Sequence, residues 1–237
     1  MHLLIVFTND SLQQFHITTD MTQDTTKAIL FDFDGTIADT AEGIVTTMKE
    51  TFKEMSLPIP ADNEMLATIG IPLFNALKML NNLDDAEAQR ATETYDRLFP
   101  KFEATVVKIF PGVKDTLQWL AAQGYRLAIV TSRNLESLDM IMDRHGINQY
   151  FETKITASDK LTPKPAPDMV NALLERLHLR KEEAVVVGDT TFDIDMGNNA
   201  GCRTVAVTYG NHPKEKLIES KPTFMIDSFS TLKDLLK

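Results

Sequence analysis

The chain has 237 residues, 43% of them hydrophobic, and a formal net charge of -10. This length fits one large domain, or a domain with an insert, and allows an ample core. The acidic balance argues against a broad nucleic-acid surface, so a phosphate ligand would need a local cation or a metal.

Cysteine content and the termini bear on the cellular compartment. The single cysteine, Cys202, excludes an intramolecular disulfide, is typical of the reducing cytoplasm and is expected to be a small buried filler. No apolar run is long enough for a membrane span, so no membrane partner is expected. Residues 1–26 are predicted to be a poorly ordered leader without the features of a signal peptide, and Met21 is an alternative start to Met1. We expect a cytoplasmic protein that is a monomer by default.

The first predicted strand, Lys27 to Phe33, is short and apolar and runs into a turn signal. From Thr40 to about Val107 the apolar spacing is helical and no convincing strand is found. Helices are predicted from Ala41 and over 62–69, 72–81 and 84–101. We therefore predict an all-helical insert over residues 40–107.

Strands and helices alternate in the remainder of the chain. Strands are predicted over 125–130, 151–156, 184–187, 203–207 and 224–226. Helices are predicted over 113–123, 135–145, 167–177, 194–200 and 231–236. This alternation indicates an α/β fold, a Rossmann-like three-layer core with a parallel sheet, made from residues 27–39 and 108–237.

Chemically active side chains collect where predicted strands end, which is where parallel sheets bind ligands. The residues concerned are Asp32, Asp34, Gly35 and Thr36 after the first strand, Thr131 and Ser132 after the second, Lys164 in the loop after the third, and Asp189 and Asp193 after the fourth. Acids, a lysine and hydroxyls at one rim suit phosphoryl transfer, which needs oxygen ligands for a divalent cation and donors around the transferring group.

These elements, in this order, resemble the four motifs of the haloacid dehalogenase superfamily of phosphohydrolases. DFDGT at Asp32 to Thr36 resembles the first motif, Thr131 the second, Lys164 the third, and GDTTFD from Gly188 to Asp193 the fourth. The helical insert lies where some members carry a helical cap domain. The resemblance covers nearly all of the chain from Lys27 onwards.

The resemblance implies a role for each matching residue. Asp32 would be the nucleophile and form an aspartyl-phosphate, and Asp34 would be the general acid and base. Asp32, the backbone carbonyl of Asp34 and Asp189 would bind Mg²⁺, with Asp193 supporting the metal directly or through water. The phosphoryl oxygens would be held by Thr131, Ser132 and Lys164, and Gly35 and Thr36 would line the same cradle.

Two further residues are candidates for substrate contact. Arg133 follows Ser132 and could reach the substrate, although a surface role is an equal alternative. Gly70, in the segment from Thr68 to Leu73, lies at a helix break expected to face the site. The five histidines show no ligand spacing and are expected at helix ends or on the surface.

Each residue also has a structural alternative. Asp189 and Asp193 could be helix N-caps, Thr131 could cap a turn, and Lys164 could be a solvated loop charge.

Asp34 argues against a dehalogenase, because a halide leaving group needs no proton. The cap segment and GDTTFDIDMGNNAG resemble the phosphoglycolate phosphatase group, which implies hydrolysis of a small phosphorylated metabolite such as phosphoglycolate. A sugar phosphomutase like β-phosphoglucomutase, a pyrophosphatase or nucleotide phosphatase, and a catalytically silent binding protein remain alternatives.

Overall fold

The computed structural model describes residues 26–236, without the side chains of residues 104 and 105. The predicted leader, apart from Thr26, and the alternative start at Met21 lie outside the described residues. Within residues 26–236, no helix combines the length and apolarity that crossing a membrane requires.

A parallel sheet of six strands forms the centre of the molecule. Its strands are β1 (Ala28–Phe31), β4 (Arg126–Val130), β5 (Thr153–Ile155), β6 (Ala184–Gly188), β7 (Arg203–Val207) and β8 (Phe224–Ile226). The spatial order is β5-β4-β1-β6-β7-β8, and each neighbouring pair is parallel. This is the doubly wound Rossmann-like order, so the predicted fold class is confirmed.

Both faces of the sheet are buried. Successive side chains of a strand point to opposite faces, so neighbouring residues of β1 pack on different sides. Ile29 and Phe31 of β1 belong to one hydrophobic cluster, whereas Ala28 and Leu30 belong to another. Apolar residues therefore follow each other without polar interruption along β1, as expected for a strand covered on both faces.

The helices form two groups: those outside the insert cover the sheet, and those of the insert form a separate layer beyond its carboxyl edge. They are α1 (Ala41–Glu54), α2 (Asp62–Leu66), α3 (Leu73–Asn81), α4 (Asp85–Val106), α5 (Val113–Ala122), α6 (Leu135–Arg144), α7 (Asp168–Arg176), α8 (Thr191–Ala200), α9 (Lys214–Glu219) and α10 (Leu232–Leu235). α1 and α3 both pack against α4, so the helices of the insert share an apolar interior.

Several elements differ from the sequence prediction. β2 (Ala38–Asp39) and β3 (Lys108–Ile109) form an antiparallel ribbon that joins the two ends of the insert. Strands of two residues have no measurable periodicity, so the ribbon was not predicted. α9 was also not predicted, and α8 begins at Thr191 rather than Ile194, because Thr190 and Asp193 form a capping box.

Candidate active site

The candidate site lies at the carboxyl edge of the sheet, where the strand order changes direction. β1 pairs with β4 on one side and with β6 on the other. Asp32 directly follows β1 and Asp189 directly follows β6. Connections leave these two strands toward opposite faces, which opens a crevice at this point of a doubly wound sheet.

Lys164 joins two of the predicted acids. Its Nζ donates to Oδ1 of Asp32 at 2.5 Å and to Oδ1 of Asp193 at 2.6 Å. All three side chains are almost completely buried. The alternative that Lys164 is a solvated loop charge is therefore wrong, because its side chain is buried. The alternative that Asp193 is a helix cap is correct but incomplete, because Asp193 both caps α8 and pairs with Lys164.

Asp193 uses both of its carboxylate oxygens in hydrogen bonds. While Oδ1 accepts from Lys164, Oδ2 accepts from the backbone N–H of Thr190 at 3.0 Å and from its hydroxyl at 2.7 Å. These bonds fix Asp193 in the first turn of α8 and so orient Lys164 toward Asp32.

Asp189 is held by hydrogen bonds from two loops. The hydroxyl of Thr36 donates to its Oδ1 at 2.9 Å. Asn211, in the loop after β7, donates to Oδ2 from its backbone N–H at 2.7 Å and from its side-chain amide at 2.9 Å. The carboxylate is completely buried.

Gly35 lets the loop after β1 approach Asp189 closely. Its φ is +87°, and a Cβ there would lie 2.1 Å from Oδ2 of Asp189 and 2.2 Å from the amide nitrogen of Asn211. Neither the conformation nor the space admits a side chain, so glycine is required at this position.

The buried carboxylates disfavour their own ionised forms. Burial, and then the neighbouring charge of Asp193, raises the pKa of Asp32 well above its usual range, and Lys164 only partly opposes this. Burial and Asp193 also raise the pKa of Asp189 to about 7, against the hydrogen bonds from Asn211 and Thr36. For Lys164, burial lowers the pKa, but the charges of Asp193 and Asp32 outweigh it and the net shift is upward.

This donor set fits a divalent cation. Oxygens of Asp32, Asp189 and Asp193 lie within 4.8 Å of one another, and all three residues are buried. Lys164 compensates one of the three charges, so two remain to be balanced when the acids are ionised. Carboxylate oxygens are ligands for hard cations such as Mg²⁺, and a cation would favour the ionised forms that burial and the charge of Asp193 disfavour.

Asp34 is not part of this cluster. Its carboxylate forms an ion pair with Arg133, whose Nε lies 3.1 Å from both carboxylate oxygens and whose Nη2 lies 2.5 Å from Oδ1. Nη1 of Arg133 donates to the hydroxyl of Ser137 at 2.8 Å, and the guanidinium lies 4.8 Å from the ring centroid of Phe99 in α4. A surface role for Arg133 is therefore wrong: its side chain is 7% exposed and spans from the rim to the helical insert.

Thr131, Ser132 and Gly70 lie near the two aspartates of the first motif. The Thr131 side chain is buried, and its Oγ1 accepts from the backbone N–H of Arg133 at 3.2 Å. The hydroxyl of Ser132 donates to the carbonyl of Gly70 at 2.7 Å, which brings the insert onto the rim. All three residues line a cavity that also reaches Asp32 and Asp34.

Two supporting residues were missed in the sequence. Asn211 holds Asp189, and the hydroxyl of Tyr209 donates to the carbonyl of Thr36 at 2.8 Å. Both residues follow β7, and ligands of such sheets bind at the carboxyl ends of the strands, so their position after a predicted strand could have indicated them. Of the two positions expected for His212, a helix end or the surface, the surface is wrong: this side chain is buried, and its Nδ1 accepts from the backbone N–H of Thr191, at the start of α8, at 3.0 Å.

Comparison with known proteins establishes the family. Residues 29–207 match the family described as haloacid dehalogenase-like hydrolase. The chain belongs to this family of hydrolases.

Curated relatives place the chain among the phosphatases of the family. It is 32% identical over 206 residues to the probable phosphatase IndB of Dickeya dadantii (strain 3937), covering 85% of this chain and 90% of that protein. It is 33% identical over 211 residues to the putative pyrophosphatase PpaX of Clostridium perfringens (strain 13 / Type A), covering 89% and 97%. The class of activity is therefore that of a phosphatase.

A solved structure shows the same architecture. A predicted phosphoglycolate phosphatase from Haemophilus somnus 129PT superposes with a TM-score of 0.82 at 25% identity, covering 90% of this chain and 98% of that one. The resemblance to the phosphoglycolate phosphatase group is thus confirmed.

Proposed function

We propose that the protein is a Mg²⁺-dependent phosphatase that hydrolyses a small phosphate monoester through an aspartyl-phosphate on Asp32. The observation that carries this proposal is the position of Asp32 at the switch point, buried, bonded to Lys164 and within 4.8 Å of Asp189. A carboxylate held between an ammonium and a cation site can face a phosphoryl group without prohibitive repulsion.

Covalent catalysis divides the reaction into two displacements. An oxygen of Asp32 attacks phosphorus, and the bond from phosphorus to the ester oxygen breaks. Asp34 gives a proton to the departing alcohol and later takes one from the water that attacks the aspartyl-phosphate. For this step, the carboxyl group of Asp34 has to exchange a hydrogen bond from Arg133 for one with the substrate.

Bound Mg²⁺ would supply positive charge next to the phosphoryl oxygens, held by Asp32, Asp189 and the backbone carbonyl of Asp34. Lys164 holds Asp32 in place and neutralises part of the developing charge. Thr131 and Ser132 line the far side of the phosphoryl position, where hydroxyl and backbone donors suit its oxygens. Asp193 holds Lys164 against Asp32 and would support the metal directly or through water.

The helical insert is proposed to act as a cap over this site. Residues 40–107 form one helical unit whose segment around Gly70 contacts Ser132 and lies against Thr190 and Phe192. A unit in this position would exclude water during turnover. We also propose that the enzyme is cytoplasmic, because its single cysteine is typical of a reducing compartment.

The first substrate to assay is phosphoglycolate, because proteins of similar fold carry that name. Inorganic pyrophosphate is the second, because a relative is named a pyrophosphatase. Phosphate release from either, with Mg²⁺, tests the class of reaction.

The mechanism is tested by Asp32→Asn. This variant should fold and lose turnover by at least about a thousandfold, because an amide cannot form the acyl phosphate. Asp227→Asn is the matched control, because Asp227 also follows a strand of the sheet but is exposed. Retention of activity in Asp32→Asn would remove Asp32 as the nucleophile.

A further inference from the structure

The cavity over the site is larger than a phosphoryl group and a two-carbon acid require. Its volume is about 520 Å³, and it extends from Asp32 and Asp34 into the helical insert. Volumes of about 300–1,000 Å³ are typical of sites for drug-sized ligands. The space beyond the phosphoryl position therefore has to accommodate the rest of the substrate.

The walls of this space are mainly apolar. They include side chains from three helices of the insert: Ile44, Met48, Leu73, Phe74, Tyr95 and Phe99. Tyr95 and Phe99 stack on each other with ring centroids 5.6 Å apart, which gives the cavity a rigid aromatic side. Leu73 and Phe74 are only half-buried, so their apolar surface is available to a ligand.

The charged groups of the cavity do not suit a second anion. Among the described residues that line it, Arg133 is the only basic one, and its guanidinium already bonds Asp34 and Ser137. Two further carboxyl groups, those of Asp96 and Glu136, also line the cavity. A carboxylate or second phosphate placed here would have to compete with Asp34 for Arg133, and without that cation it would lose its hydration without compensation.

We propose that the substrate is the phosphate monoester of an apolar alcohol, aliphatic or aromatic, whose carbon skeleton lies between α1, α3 and α4. This inference rests on the proposed function, since it places the phosphoryl group of the same ester at Asp32. The apolar walls bind the alcohol by burying its surface, and the scarcity of free positive charge disfavours esters such as phosphoglycolate.

The test is a series of phosphate esters with leaving alcohols of similar acidity. With saturating Mg²⁺, kcat/KM is measured for methyl, butyl and benzyl phosphate and for phosphoglycolate. We expect kcat/KM to rise about fourfold for each added methylene that is buried. Benzyl phosphate should exceed phosphoglycolate by at least about tenfold.

Two outcomes of this assay are distinguishable. A flat series, or phosphoglycolate as the best substrate, overturns the apolar-alcohol proposal while leaving the phosphatase intact. Acetyl phosphate needs no large alcohol site, so failure to release phosphate from it and from every ester overturns the proposed function itself.

Variants in one helix test the position of the alcohol. Phe74→Ala should lower the ratio of kcat/KM for benzyl over methyl phosphate by about tenfold. Met79→Ala is the matched control, because Met79 lies in the same helix, is 63% exposed and does not line the cavity. An unchanged ratio in Phe74→Ala would contradict the proposed position.

A second variant adds the missing charge. Leu73→Arg should raise the ratio of kcat/KM for phosphoglycolate over benzyl phosphate, because it places a free cation at a half-buried wall position. Circular dichroism shows whether each variant is folded. If Phe74→Ala does not fold, the ratio of kcat/KM for phosphoglycolate over benzyl phosphate in Leu73→Arg still tests the proposal. A ratio unchanged in the folded Leu73→Arg protein would count against the assigned cavity.

Discussion

Lys164 is the residue on which the buried charges of the site depend. It bonds Asp32 and Asp193 at the same time, and its side chain is inaccessible to solvent. A buried ion pair contributes little compared with a well-packed apolar pair, but removal of one partner leaves an uncompensated charge. Stability and reactivity are therefore coupled at this residue.

Lys164→Met should destabilise the metal-free protein by about 3–5 kcal/mol, because the two acids lose their only bonded ammonium among the described residues. It should also lower kcat at least about a hundredfold, since a positive group at the phosphoryl is lost. Urea unfolding and phosphate release measure the two effects. Lys214→Met, at an exposed lysine, should change neither; a stable Lys164→Met protein would contradict the charge argument.

Asp189 makes metal binding dependent on pH. In the folded metal-free protein its pKa is raised to about 7 by burial and Asp193. The folded state therefore holds the proton more tightly than the unfolded chain, whose carboxyl has a pKa of about 3.9. This group destabilises the metal-free protein progressively as pH rises from about 4 to about 7, and fully above that.

Mg²⁺ should relieve this penalty only where the carboxyl is ionised. Proton competition at pH 5.5 weakens binding about 30-fold relative to pH 8, or about 2 kcal/mol at one Mg²⁺ concentration. The rise of Tm on adding Mg²⁺ should then be about 4–8 °C smaller at pH 5.5. Thermal unfolding with Mg²⁺ or EDTA measures it. Asp189→Asn should reduce the pH dependence and leave the part that comes from Asp32, whose pKa is also raised. An equal rise at both pH values in the unaltered protein would count against Asp189 as a ligand.

At the scale of elements, α4 is the helix that connects the insert to the sheet. Glu103, near its carboxyl end, is fully buried and pairs with Arg144 at the end of α6. One oxygen of Glu103 has no hydrogen-bond partner in the structure, which makes the pair with Arg144 its main compensation. Upstream in the same helix, Asp96 accepts from Asn134 and Phe99 lies under Arg133.

Arg144→Met should lower the free energy of unfolding by about 1–3 kcal/mol, because it leaves a buried carboxylate without its charged partner. Glu103→Gln in the same chain removes that charge without changing the shape. The double variant Glu103→Gln/Arg144→Met should therefore be more stable than Arg144→Met alone, as measured by urea unfolding. A double variant that is no more stable than the single one would show that the charge of Glu103 is not the cause.

At the scale of the molecule, the helical insert contacts the rim of the sheet in the described structure. The contacts of Ser132 with Gly70 and of Arg133 with Phe99 connect the two regions beside the cavity that Asp32 and Asp34 line. The ribbon of β2 and β3 is the covalent connection between them and lies away from these contacts. Opening at the rim can thus take place while the sheet remains intact.

Inorganic phosphate with Mg²⁺ should slow hydrogen exchange at residues 68–72 and 131–134, because an anion at the rim adds contacts that hold the two regions together. Exchange in β8, at the far edge of the sheet, should not change. Mass spectrometry of peptic fragments measures both. Equal protection in β8 and at the rim would indicate general stabilisation rather than closure.

The sequence alone determined the α/β core and the positions of the site acids and of Lys164. This was possible because buried parallel strands have a strong apolar signal and because their carboxyl ends meet at one edge of the sheet. The cluster of Asp32, Asp189 and Asp193 thus followed from local order along the chain.

Only the tertiary structure decided which partners those residues have. Arg133 pairs with Asp34 and Asn211 holds Asp189 because loops distant in sequence pack against the rim, and no periodic pattern encodes such contacts. His212 is buried for the same reason. The apolar cavity arises where three helices of the insert face the sheet, since their apolar residues can only be divided between core and ligand surface once the helices are packed.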